Sequence, residues 1–119
     1  MTANVDDIVI YHNPRCSKSR AALALLRERG IEPRVIEYLQ TAPSREELRV
    51  LVHKLGIPAE QLVRKGEDAF KSQYAGRPMS EAQWIDAMAT HPILIERPVV
   101  IRGDRAVIGR PPEKVLEML

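Results

Sequence analysis

Asp7-Ile8-Val9-Ile10-Tyr11-His12-Asn13-Pro14-Arg15-Cys16-Ser17-Lys18-Ser19-Arg20, running on into Ala21-Ala22-Leu23-Ala24-Leu25-Leu26, changes periodicity part-way along. A short apolar run rich in β-branched residues ends at Tyr11. A tight polar turn with a proline follows, and an amphipathic pattern then begins. The reading is strand, loop, helix, with Cys16 at the helix N-terminus. There the unpaired backbone amides and the helix dipole favour negative charge. A thiolate is negative, and it is the thiolate that acts as nucleophile. The same amides, from Ser17 to Arg20, can hold an oxyanion substrate.

Outward from this stretch the elements follow in order. Ser17 to Arg29 reads as the helix, with Ala22, Leu23, Leu25 and Leu26 at helical spacing and Gly30 as its stop. Arg34 to Tyr38 reads as a second strand, and the spacing fits a right-handed parallel β-α-β unit. Ser44-Arg45-Glu46-Glu47 is a capping box that opens a helix carrying Leu48, Leu51, Val52 and Leu55 and ending at Gly56. A short helix over Glu60 to Val63 is expected next. Gly66 to Pro78 is the least regular part, and Ser80 to Thr90 is a further helix burying Trp84, Ile85 and Met88. The run from Pro92 to Ile101, followed by Ala106 to Gly109, reads as a β-hairpin turning over Arg102 to Arg105. Pro111-Pro112 then starts a short last helix with Val115, Leu116 and Leu119. The order β-α-β, helical block, β-β-α is the thioredoxin-type arrangement. The expected fold is therefore α/β, a four-stranded mixed sheet in a single domain over residues 1–119, with a helical insertion at about 44–90.

Composition bounds the function. The chain has 119 residues, 45% hydrophobic and 29% charged, so it is globular and large enough for one modest core. Only 4% of residues are aromatic and the net charge is +2. That is too mild for nucleic acid, and no stacking platform accompanies it. No apolar run approaches the length of a membrane span, and the N-terminus lacks the apolar core of a signal peptide. A lone thiol fits a reducing cytoplasm.

Cys16, the one cysteine, is flanked by Arg15, Ser17, Lys18 and Arg20 rather than by apolar residues. Cationic surroundings lower a thiol's pKa, which favours a reactive over a buried structural cysteine. His12 either caps the strand and holds the loop or stabilises the thiolate. A zinc site is not expected, because there is no second cysteine and His53 and His91 lie elsewhere on predicted helices. Arg64, Arg97 and Arg110 read singly as solvated surface arginines. Two of them, however, precede prolines at strand ends, Arg97 before Pro98 and Arg110 before Pro111, where both can point back to the cysteine loop. Guanidinium groups grip tetrahedral oxyanions bidentately. Equally informative is what is missing. Position 19 is serine, so no Cys-x-x-Cys disulfide can close. Position 22 is alanine, so this is not a Cys-x5-Arg phosphatase loop. An adduct on Cys16 must be resolved by an outside thiol.

The stretch Ile10 to Arg20, the segment Pro43-Ser44-Arg45-Glu46-Glu47-Leu48, the block His91-Pro92-Ile93-Leu94-Ile95-Glu96-Arg97-Pro98 and the run Ile108-Gly109-Arg110-Pro111-Pro112-Glu113 together resemble the glutaredoxin-dependent arsenate reductase family of the thioredoxin-like superfamily. The resemblance spans essentially the whole chain. It implies that Cys16 attacks arsenate, that His12 supports the thiolate, and that Arg64, Arg97 and Arg110 bind the oxyanion or the later intermediate, with Ser17 in the substrate-binding loop. It also implies that Pro98 is the cis-proline facing the cysteine. No tightly bound cofactor is implied, with glutathione as co-substrate and a glutaredoxin as protein partner. The chain stops at Leu119 where better-studied members carry a longer C-terminal tail, and Arg15 and Lys18 stand where their loops have smaller residues, so it looks closer to a short-chain branch. Two other functions fit the fold: a redox-responsive transcriptional regulator, which Ser19 in place of a second cysteine argues against, and a glutathione-dependent thiol oxidoreductase acting on another substrate.

Overall fold

The computed structural model describes residues 7–119, which form two units: residues up to Thr41 together with Arg97–Leu119, and Ala42–Glu96 between them. The first unit is built on a four-stranded sheet. Its strands are β1 (Ile8–Tyr11), β2 (Arg34–Ile36), β3 (Val99–Arg102) and β4 (Arg105–Ile108), in the order β2-β1-β3-β4. β1 runs parallel to β2, with Ile10 opposite Val35, and antiparallel to β3, with Ile10 opposite Val100. β3 and β4 form the expected hairpin around Gly103-Asp104. Helix α1 (Ser17–Glu28) makes the crossover from β1 to β2. Its buried Ala22, Leu23 and Leu26 pack with Ile8, Ile10 and Val100 of the sheet and with Val115 and Met118 of the C-terminal segment. Each fully buried aliphatic side chain contributes about 1.5–3 kcal/mol. The core therefore fixes the end of β1 and the start of α1, and with them the loop that carries Cys16.

Several boundaries differ from the sequence reading for local reasons. α1 ends one residue early, at Glu28, because Gly30 takes φ 78 and its amide turns back to the Arg27 carbonyl at 3.0 Å, a left-handed stop that glycine adopts without strain. β2 ends at Ile36. The chain then turns, with the Gln40 and Thr41 amides both donating to the Glu37 carbonyl at 2.9 Å, and Tyr38 is buried in that turn rather than in the strand. The long run before β3 is not all strand. Pro92–Leu94 is a 3₁₀ turn, Ile95 bridges to Val63, and the ladder resumes only at Val99, since proline donates no ladder hydrogen bond. The last segment, Pro112–Met118, is 3₁₀ rather than α.

The second unit, Ala42–Glu96, contains the helical block. α2 (Arg45–Leu55) opens with the expected capping box: Ser44 Oγ accepts from the Glu47 amide at 3.1 Å and the Ser44 amide donates to Glu47 Oε1 at 2.8 Å. The short helix after it is 3₁₀ over Ala59–Leu62. The irregular stretch holds a helix the sequence reading passed over, α3 (Asp68–Gln73), whose one buried residue, Phe70, stacks on Trp84 with ring centroids 6.1 Å apart. α4 (Glu81–Thr90) starts with a second capping box, Ser80 with Gln83, and buries Trp84, Ile85, Ala87 and Met88.

Candidate active site

The loop from β1 to α1 is held by a buried serine. Ser19 is fully buried, and its Oγ accepts from the Asn13 amide at 3.0 Å while lying 2.7 Å from His12 Nδ1. A buried hydroxyl hydrogen needs an acceptor. That role falls to His12 Nδ1, so the imidazole is neutral with its proton on Nε2. Burial, opposed by nearby Glu37 and aided by Arg27 and Arg20, holds the His12 pKa below its ordinary value, which agrees with a neutral ring. The His12 amide donates to the Ile36 carbonyl at 2.8 Å, tying the loop to the end of β2. Asn13 closes the turn: its Oδ1 accepts from the Arg15 amide, and its carbonyl accepts from the Cys16 amide, both at 3.0 Å.

Cys16 is the N-cap of α1, with extended backbone (φ −95, ψ 123), and is half-buried. The thiol closes no formal cap hydrogen bond. Burial pushes its pKa up. The backbone amides of Ser19 and Lys18 and the Arg97 guanidinium, all directed at the sulfur, outweigh burial and bring it below the ordinary thiol value. The cations adjacent in sequence, Arg15 and Lys18, are exposed. What favours the thiolate is therefore the Lys18 backbone, not its side chain, together with an arginine from a remote strand.

Arg97 directly precedes β3, and the Arg97–Pro98 peptide bond is cis, as is Arg110–Pro111. Burial works against the Arg97 charge, but its contacts with Cys16 and Tyr38 raise its pKa. Its Nε and Nη1 are shut off from solvent, as is the Tyr38 hydroxyl. Arg110 points back as the sequence suggested, but onto Arg97's backbone: its Nη1 donates to the Arg97 carbonyl at 3.1 Å. Gly109, whose amide donates to the Pro98 carbonyl at 2.8 Å, packs so closely that an added Cβ would lie 2.9 Å from Pro98 Cγ and 2.9 Å from Val115 Cγ1.

The structure thus brings together Cys16, Arg97, Pro98 and Arg110, with Ser17 exposed in the first turn of α1. His12 belongs to the same loop, bonded to Ser19. Arg64 lies in the helical unit, where Nε contacts Glu67 at 3.2 Å and Nη1 contacts Glu96 at 3.1 Å. Sequence reasoning missed Ser19, weighed only as an absent cysteine, and Tyr38, taken for a strand residue. Among the described residues no three or more His, Cys, Asp and Glu side chains gather as a metal site would, and no helix is long and apolar enough to cross a membrane.

A mixed four-stranded sheet with a lone activated thiol at the N-terminus of its crossover helix, and an arginine next to a cis-proline beside that thiol, defines a thioredoxin-fold protein of the single-cysteine kind. The ArsC family model matches residues 11–118, and the chain belongs to the ArsC family. It is 48% identical over 114 residues to an arsenate reductase of Haemophilus influenzae, a match covering 94% of this chain and 98% of that protein. It is 43% identical to an arsenate reductase of Escherichia coli, covering 97% of this chain and 82% of the longer relative. Among solved structures, an arsenate reductase from Vibrio cholerae superposes with a TM-score of 0.92 at 49% identity, covering 96% of this chain and 98% of that one.

Proposed function

We propose that this protein is an arsenate reductase of the cytoplasm that uses glutathione as co-substrate and a glutaredoxin as its reducing partner, with no tightly bound cofactor. The observation that carries the reading is Cys16 at the N-cap of α1, its thiol favoured as thiolate by the Ser19 and Lys18 amides and Arg97. Kinship with the named arsenate reductases supplies the substrate.

The thiolate attacks arsenic, forming an S–As bond as one arsenate oxygen leaves as water. The amides of the first turn of α1, from Ser17 on, and the Arg97 guanidinium neutralise the oxyanion and the charge that grows on it. Arg110 supports Arg97 through its carbonyl, and Arg64 is assigned to the oxyanion on the family resemblance. Arsenic is still pentavalent at this point. Glutathione sulfur then bonds to arsenic as a second oxygen leaves as water. A glutaredoxin thiolate attacks that glutathione sulfur, and the As–S electron pair stays on arsenic, now trivalent. The other product is the glutaredoxin–glutathione disulfide. Water cleaves the remaining As–S bond, releasing arsenite and the Cys16 thiol.

The test is arsenate-dependent NADPH oxidation in the presence of glutathione, glutathione reductase and glutaredoxin. Saturable turnover in the wild type and none in Cys16→Ser is the expected result. Reduction of a glutathione-mixed disulfide substrate without any arsenate-dependent turnover would replace this reading with that of a glutathione-dependent thiol oxidoreductase.

A further inference from the structure

Tyr38 is a polar residue in a place that needs only bulk. It is fully buried, it follows the end of β2, and its ring stacks on that of Tyr11 with centroids 6.4 Å apart. A phenylalanine would fill the space. A buried phenol hydroxyl is costly unless it is bonded, so the oxygen needs a reason. The reason on the page is Arg97. The Tyr38 hydroxyl and the Arg97 guanidinium interact as acceptor and donor, and the guanidinium meets the Cys16 sulfur as well. A guanidinium is a planar fork with fixed N–H directions. Fixing one edge therefore aims the other.

We propose that Tyr38 is a positioning residue for the chemistry at Cys16: its buried hydroxyl grips the Arg97 guanidinium and holds it against the sulfur. Arg97 is then pinned twice. Arg110 Nη1 holds its carbonyl at 3.1 Å, and Tyr38 holds its head. The charged and titratable groups about the thiol are few. Arg97 faces it from the strand entry, the Ser19 and Lys18 amides face it from α1, and neutral His12 lies behind the loop, bonded to Ser19. Removing the Tyr38 hydroxyl leaves one guanidinium N–H without its acceptor in a dry setting. Arg97 then turns toward water, and the thiolate loses its fixed cation.

The inference rests on the proposed reaction only for what the thiolate does next. Its test reads the thiol directly and so stands apart from arsenate turnover. Cys16 alkylation by iodoacetamide is followed against pH in wild type, Tyr38→Phe, Arg97→Ala and the double variant. Circular dichroism reports the fold, and Tyr38→Met, which also lacks the hydroxyl, is the second variant should the phenylalanine fold poorly. In Tyr38→Phe the midpoint of the pH profile is expected to move up, and the rate on its acid side to fall about tenfold. The double variant is expected to match Arg97→Ala alone, because the two residues act through one contact. A Tyr38→Phe profile superposing on the wild type, or effects of the two substitutions that simply add, would overturn the proposal.

Discussion

At the scale of single residues the site depends on one guanidinium. Arg97 faces Cys16 and Tyr38 at once, a task lysine cannot repeat because its ammonium is a compact point donor on a flexible stem. Arg97→Lys keeps the charge and loses the fork. Losing one charge-assisted hydrogen bond costs about 1.5–3 kcal/mol, so arsenate kcat/KM is expected to fall roughly ten- to hundredfold. Arg49→Lys, on an arginine that is largely exposed and pairs with Glu46 at 3.2 Å, should match the wild type in the same steady-state assay. His12 makes a different prediction. Its pKa is lowered in the fold, chiefly by burial, from 6.5, so the unfolded chain binds the proton more readily than the folded one. Stability is then unaffected well above that value, and falls as pH drops from about 6.5 toward the folded pKa. Asparagine can present an oxygen where Nδ1 accepts from Ser19. His12→Asn should therefore keep the loop and flatten the acid side of the stability profile. Urea melts at about pH 7 and about pH 5 check it, and equal slopes in the two proteins would return the histidine to a purely steric role.

At the scale of elements, the loop and the hairpin present the chemistry, and they were legible to different degrees. The strand–loop–helix around Cys16 could be read because periodicity changes at a proline-bearing turn, and the two capping boxes because both partners are local in sequence. α3 could not, since six residues with a single buried side chain carry no periodicity. The place of Arg97 was visible from Pro98, but its grip on Tyr38 depends on a contact across the sheet that no local pattern encodes. The resemblance supplied the arginines' roles, whereas only coordinates show Arg110 bonded to a carbonyl. Gly109 belongs to the same group of hidden constraints. In Gly109→Ala the new methyl would meet Pro98 and Val115 side chains at 2.9 Å, too close for either to keep its place. Overpacking of this sort costs about 1–3 kcal/mol. The expected result is a lower urea midpoint together with reduced turnover, because the displaced proline is joined to Arg97. Wild-type behaviour in both measurements would mean that the hairpin yields without disturbing the site.

At the scale of the whole molecule the governing fact is arithmetic. The chain has one cysteine, and converting arsenate to arsenite takes two electrons. Closing a disulfide between two thiols supplies them, and one chain holds a single thiol. Attack by Cys16 alone leaves arsenic pentavalent, so the protein can capture its substrate but not reduce it. The residue at which other thioredoxin-fold proteins keep a second thiol is here Ser19, and the structure gives that side chain other work: it is buried, and it joins His12 to the Asn13 amide. The serine builds the loop, so restoring a cysteine at this position would trade loop geometry for a redox partner. The prediction is a single-turnover one. Dilute enzyme mixed with excess arsenate, glutathione and glutaredoxin withheld, should yield no arsenite above the protein-free blank, and the chain should remain monomeric on a non-reducing gel. Adding glutathione and glutaredoxin to the same tube should release arsenite continuously. A burst of half an equivalent of arsenite with a disulfide-linked pair of chains would show that two copies of this protein reduce arsenate together, and would remove the external thiols from the mechanism.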